Sequence, residues 1–99
     1  MKSIIQKDRS RCYLCGKNGS QEHLDEHHVY AGLGYRDLSE KYGLKVYLHS
    51  FTCHNGGPYS VHKDAEVGYR LKADVQKKAM EYYHWTVDDF VAIFGKNYL

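Results

Sequence analysis

Hydrophobic and polar positions along this chain follow two periods, and the changes between them mark the elements. From Leu44 to Leu48 apolar and mixed positions alternate, with β-branched Val46 and aromatic Tyr47, so residues 44–48 predict a strand. Residues 22–30, Glu22 to Tyr30, predict a second strand that pairs antiparallel with it. Further on the period lengthens. Val67, Leu71, Val75 and Ala79 recur every fourth residue, with Met80 and Tyr82 widening the stripe. This predicts a helix from His62 to about Tyr83 whose stripe is core. Gly68 falls inside it, at a cost of ~1 kcal/mol relative to alanine. Thr86-Val87-Asp88-Asp89 resembles a capping box with Asp in the usual place of Glu. Val87, Phe90, Val91 and Phe94 then share one face of a closing helix that Gly95 ends.

The connecting stretches carry the turn signals. A short polar helical piece, Arg36 to Tyr42, is stopped by Gly43 and preceded by the Gly-rich loop Ala31 to Tyr35. From His49 to His62 the chain is irregular, with Gly56-Gly57-Pro58 forbidding a helix through its middle. No repeat, low-complexity tract or internal linker interrupts the chain. The expected class is α+β, in one domain of 99 residues.

Composition changes this picture in two ways. A formal net charge of +2 is too mild to argue for nucleic acid alone. The densest basic run is the N-terminal arm, residues 1–11, with Lys2, Lys7, Arg9 and Arg11 against Asp8. It reads either as a loosely docked arm with solvated charges or as one that contacts phosphates. The 10 tyrosines read as packing residues, or as faces for stacking on bases. The three cysteines are an odd number, and no N-terminal apolar run resembles a signal peptide. No stretch approaches the ~20 apolar residues of a membrane span. A cytoplasmic location is expected, where cysteines serve as metal ligands more often than as disulfides.

The candidate chemistry separates by ligand softness. Cys12-x-x-Cys15-Gly16 is a knuckle signature, whose spacer lets two thiolates reach one tetrahedral ion. Cys53 supplies a third thiolate. His49, four residues earlier, is best placed as the fourth ligand, with water or His23 as alternatives. Such a Cys3His set has no open position, as expected for structural zinc. The second set is His27, His54 and His62. Three imidazoles leave positions open for water and a phosphate oxygen, which a catalytic metal requires. His28 follows His27 in the predicted strand, so alternation turns it to the other face, where it does not ligate. A neutral imidazole there can take a proton from water. Arg36 follows the Gly-rich loop and is a candidate phosphate clamp. His23 and His84 read as surface polar residues. All-imidazole ligation suits Zn, Ni, Co or Mn more than Mg.

These residues carry a family resemblance. Strand-His-His-loop-strand-Cys-His-helix resembles the HNH, or ββα-metal, endonucleases. More narrowly it is similar to the phage recombination-enhancement, RecA-dependent nucleases. The matching stretches are Cys12-x-x-Cys15-Gly16, Glu26-His27-His28-Val29, Ser39-Glu40-Lys41-Tyr42-Gly43-Leu44, Cys53-His54, Val61-His62 and Phe94 to Leu99. The resemblance implies a small ββα-metal fold with a zinc knuckle and C-terminal helices. It implies a DNA endonuclease, encoded by a phage or prophage and linked to recombination or DNA processing. His28 would be the general base and His27 and His54 ligands of a divalent metal (Mg2+, Mn2+, Ni2+ or Zn2+). DNA is the implied partner, with a recombinase filament as a further one. The chain departs from the family at His49, where relatives more often carry Cys, and no Asn stands between His28 and His54. A rival reading is a zinc-stabilised nucleic-acid-binding module without catalysis, which accounts for the cysteines but not for the histidines.

Overall fold

The antiparallel pairing expected of the two strands organises the protein. In the computed structural model, which describes residues 1–99, the elements run β1 (Leu24–His28), α1 (Tyr35–Tyr42), β2 (Lys45–His49), α2 (Ala65–Tyr83) and α3 (Val87–Phe94). A π-helical turn over Ser50–Asn55 joins β2 to the loop before α2. The class is α+β, with one two-stranded antiparallel sheet. Its register sets Leu24 opposite His49, Glu26 opposite Tyr47 and His28 opposite Lys45. On the other face Asp25 lies opposite Leu48 and His27 opposite Val46. Both strands differ from the expected bounds by one or two residues at an end. Ladder-like bonds continue past them, from Val29 N–H to the Leu44 carbonyl (3.1 Å) and from Ser50 N–H to the His23 carbonyl (2.8 Å).

The N-terminal arm is not loose. Ser3 Oγ–H donates to the Lys45 carbonyl, Ile4 N–H to that of Gly43 (3.0 Å), and Gln6 Oε1 accepts from Tyr47 N–H (2.8 Å). Tyr13 N–H donates to the Tyr47 carbonyl (2.8 Å). The edge of β2 away from β1 is thus covered, which satisfies its backbone groups. Lys2, Lys7 and Arg9 line a cleft of about 550 Å3 with Lys45, Tyr47 and Glu26.

The helices form where the pattern places them, with three corrections. Helix α2 begins at Ala65, not at His62. Asp64 caps it, its carboxylate accepting from the N–H groups of Glu66 (3.0 Å) and Val67 (3.3 Å). Tyr82 is exposed and takes no part in the core stripe. Gln76 does take part: it is fully buried, donates to Asn97 Oδ1 (2.9 Å) and accepts from Tyr98 N–H (2.7 Å). This pair straps the last residues to α2. The capping box of α3 is complete, with Thr86 and Asp89 exchanging hydrogen bonds of 3.1 and 2.9 Å. Phe90 and Phe94 stack at 5.0 Å under the Tyr30 ring.

Gly68 also acquires a reason. Its position runs so close to the preceding loop that a Cβ there would lie 2.7 Å from the Val61 carbonyl oxygen. The helix tolerates the glycine because it lets α2 approach the segment that carries His62. Gly68→Ala should therefore destabilise the protein. The helix-propensity gain of ~1 kcal/mol is opposed by overpacking of ~1–3 kcal/mol against rigid backbone. Urea denaturation measures the balance, and a stabilised variant would mean that the close approach is absent.

Candidate metal centres

The knuckle is built by local turns and completed by the sheet. Cys12 N–H donates to the Lys17 carbonyl (2.8 Å) and Gly16 N–H to that of Cys12 (2.9 Å), with Gly16 at φ 78°. β2 delivers His49 at its last residue, and the π-helical turn brings Cys53 round beside it. The ligand atoms of Cys12, Cys15, His49 and Cys53 all lie within 4.8 Å of one another. His49 Nδ1 stands 3.2 Å from Cys15 Sγ and 4.0 Å from Cys53 Sγ. A tetrahedral zinc with bonds of ~2.0–2.3 Å requires ligand separations of roughly 3.3–3.8 Å, so the set fits. His49 Nε2–H donates to the Asn18 carbonyl (2.8 Å), which leaves Nδ1 bare toward the thiols. Burial opposes the Cys12 thiolate, but hydrogen bonds from the backbone of Cys15, His49 and Leu14 outweigh it and hold this thiol below its ordinary value. Burial, with the neighbouring thiols, pushes Cys53 up to about 12. Thiolates crowded in this way call for a cation. These four residues can hold a structural metal such as zinc.

The second set lies on the opposite face of the sheet. His27 comes from β1 and His54 from the π-helical turn. His62 follows a loop that doubles back, as Val61 N–H donates to the Cys53 carbonyl (2.9 Å) and His62 N–H to that of His54 (3.2 Å). This return places residues eight apart in sequence side by side. One nitrogen from each of His27, His54 and His62 lies within 4.8 Å of the others, and His27 Nδ1 and His54 Nε2 are 3.1 Å apart. Asp25, two residues before His27 on the same strand face, accepts from His54 Nδ1–H at 3.0 Å. Its carboxyl is held below the ordinary range by that bond. The tautomer so fixed leaves Nε2 of His54 bare, the orientation that a carboxylate–histidine–metal relay uses. Burial, then the charges of His54 and His62, lowers His27 to about 3. Burial lowers His62 as well, aided by His54 and Lys72. Both shifts favour the neutral imidazole at His27 and His62, the form that binds a metal.

His28 goes where strand alternation sends it, away from this trio. It is buried, and its Nε2 lies 2.9 Å from Glu40 Oε1 and 3.8 Å from Glu26 Oε1. Lys45, opposite it in the sheet, lies 3.0 Å from Glu40 and 3.4 Å from Glu26. Hydrogen bonds from the Met1 amino group, His28 and Lys45 hold the Glu40 carboxyl well below the usual carboxylate range. Ser60 Oγ is the only fully buried side-chain polar atom without a partner, and His28 Nδ1 makes no hydrogen bond within the protein. Arg36 is exposed at the start of α1, makes no ion pair, and does not line the hollow beside His27 and His62. His23 and His84 are exposed, although His23 Nε2 lies 3.4 Å from Asp25 Oδ1. Asp25, Glu26, Glu40 and Lys45 were not among the residues singled out from the sequence. The period-2 reading of β1 places Asp25 with His27 and Glu26 with His28, and so held part of that signal.

Comparison with models of known families, with curated proteins and with solved structures finds no match. No helix is long and apolar enough to cross a membrane.

Two outcomes follow. Protein prepared without chelator should carry one tightly held zinc, and Cys15→Ser should lower its melting temperature sharply, since metal binding is folding energy here. Absence of zinc by metal analysis would exclude the structural site. The second concerns pH, in protein with zinc on the cysteines alone. His27 is depressed in the folded state, so its contribution is complete above the unfolded value near 6.5. It is lost as pH falls from there toward about 3. His27→Gln should flatten the melting temperature across that window, and an unchanged slope would show that His27 is not buried neutral.

Proposed function

We propose that the protein is a metal-dependent DNA endonuclease of the HNH, or ββα-metal, type. The observation that carries this reading is the convergence of His27, His54 and His62, with His54 oriented by Asp25, beside a separate and closed Cys3His set. A purely structural chain has no use for a second ligand group made of neutral imidazoles with positions left open. The β1–β2 hairpin followed by a ligand-bearing turn and α2 also suits the fold that the resemblance implies.

A divalent cation on the three histidines supplies charge neutralisation at the phosphoryl oxygens and the leaving 3′-oxygen. The chain's own residues do the rest. His28 Nε2–H donates to Glu40, so Nδ1 is the atom that takes a proton from water. Glu40 orients the ring and offsets the charge that forms on it, the service a buried carboxylate gives the histidine of a hydrolase triad. His27 and His28 leave β1 in opposite directions. Arg36, exposed and without an acidic partner, is kept as a phosphate contact of the flanking strand, as are Lys2, Lys7 and Arg9 along the cleft beside Lys45. By resemblance the products carry 5′-phosphate and 3′-hydroxyl ends, the chain acts on phage or prophage DNA, and a recombinase filament is a further partner.

One observation favours the rival, a zinc-stabilised nucleic-acid-binding module. His28 sits in an ion-paired network with Glu40 and Lys45, which a purely structural role also explains.

Plasmid and single-stranded DNA incubated with Mg2+, Mn2+, Ni2+ or Zn2+ decide between them. Cleavage is expected in wild type. His27→Ala should lose activity that higher metal concentration partly restores. His28→Ala should keep its metal affinity, lose ~10²–10⁴-fold in rate, and regain part of it with added imidazole. Glu40→Gln should fall between wild type and His28→Ala. Wild-type cleavage by both histidine variants, or no cleavage by any form, would leave the binding module as the account.

A further inference from the structure

The cavity beside the three histidines contains a cation that the reaction above does not use. A hollow of about 120 Å3 is lined by His27, His62, Val61, Gly68, Leu71 and Lys72, among others. At ~30 Å3 per water it has room for about four waters, the scale of one tetrahedral anion with a water beside it. Its walls are apolar apart from the two imidazoles and Lys72.

Lys72 is half-buried on α2 and forms no ion pair with any carboxylate. Lys45 and Lys78, by contrast, both have acidic partners. Two features hold Lys72 in place. The Tyr30 hydroxyl, two residues beyond β1, donates to the Lys72 carbonyl at 2.6 Å and ties this turn of α2 to the strand that carries His27. The Tyr98 ring, strapped to α2 through Gln76, lies 5.7 Å from the Lys72 ammonium. Gly68, one turn earlier on α2, gives the helix its close approach to Val61 and so brings Lys72 toward His62. The unpaired Lys72 ammonium and two imidazoles facing one hollow suit an anion.

We propose that Lys72, with the histidine-held cation, forms a phosphate subsite: its ammonium binds a non-bridging oxygen of the phosphodiester and stabilises the charge that grows there. This rests on the nuclease reading for its substrate, but phosphate binding itself does not. Lys72 would then be a catalytic residue at the scissile phosphate, with Tyr98 positioning it.

The test uses the full chain with zinc on the cysteines and Co2+ on the histidines. Inorganic phosphate is titrated while the d–d absorption of Co2+ is followed, and DNA cleavage is measured in parallel. Lys72→Met should weaken phosphate binding by roughly tenfold or more. It should leave Co2+ affinity equal or tighter, since a repelling charge has gone, and lower kcat/KM for DNA by about 10²-fold. Lys72→Arg keeps the charge and should retain most of the phosphate affinity. Wild-type phosphate affinity in Lys72→Met would overturn the subsite, as would no phosphate binding by wild type. An equal loss in Lys72→Arg and Lys72→Met, or a Co2+ affinity that falls together with phosphate affinity, would make the residue structural and also overturn it. Phosphate binding that depends on Lys72 in a protein that cleaves no DNA would uphold the subsite and remove the nuclease reading alone. Cleavage unaffected by Lys72→Met would do the reverse.

Discussion

The register of β1 against β2 is the constraint on which the other features depend. Leu24 pairs with His49 and His28 with Lys45, so one short ladder sets both ends of the chemistry. A slip of one residue would exchange the faces of His27 and His28 and carry Asp25 away from His54. Several interactions protect the register. Val46 and Leu48 are fully buried on the trio's side, and the arm and the knuckle cover the outer edge of β2 through Gln6 and Tyr13. A two-stranded sheet is marginal by itself. Here the arm and the knuckle add backbone contacts along its outer edge, and the Cys3His group, which can hold a structural metal, is anchored at its last residue, His49.

From this ladder the two ligand groups follow as opposite solutions to the same problem. Two of the histidines that can bind a metal, His49 and His54, have their other nitrogen held by a neighbour. Asn18 accepts from His49 and Asp25 from His54, and burial keeps His27 neutral. The Cys3His group is closed and ties residues 12 and 53, which lie far apart in sequence. The trio is partly open, beside a hollow that reaches Lys72.

Much of this was legible from the residues. The stripe Val67–Leu71–Val75–Ala79, the Thr86–Asp89 box and the alternation through Val46 each combine a strong period with an unambiguous end signal. The Cys-x-x-Cys spacing and the histidine pair likewise point to contacts that the structure brings together. The rest depended on tertiary geometry. Nothing local marks Ser3, Ile4 and Gln6 as an edge cover, because their bonds are made to residues about forty positions away. Gln76 breaks the apolar stripe yet is buried, because Asn97 and Tyr98 satisfy its amide. The same distance hid the Glu40–His28–Lys45 network and the placing of Lys72. Gly68 looked like a cost from propensity alone, and its close approach to Val61 is a packing fact.

The central claim is that the chain holds a second metal on His27, His54 and His62, separate from the cysteine-bound one. Anomalous diffraction from crystals grown with zinc and soaked in Mn2+ measures this directly. The account expects two sites. The zinc signal should lie ~2.3 Å from the sulfurs of Cys12, Cys15 and Cys53. The manganese signal should lie within bonding distance of one nitrogen from each of the three histidines, with none at Glu26, His28 and Glu40. A single site at the cysteines with no metal on the trio, or manganese found on the His28 face, would contradict it.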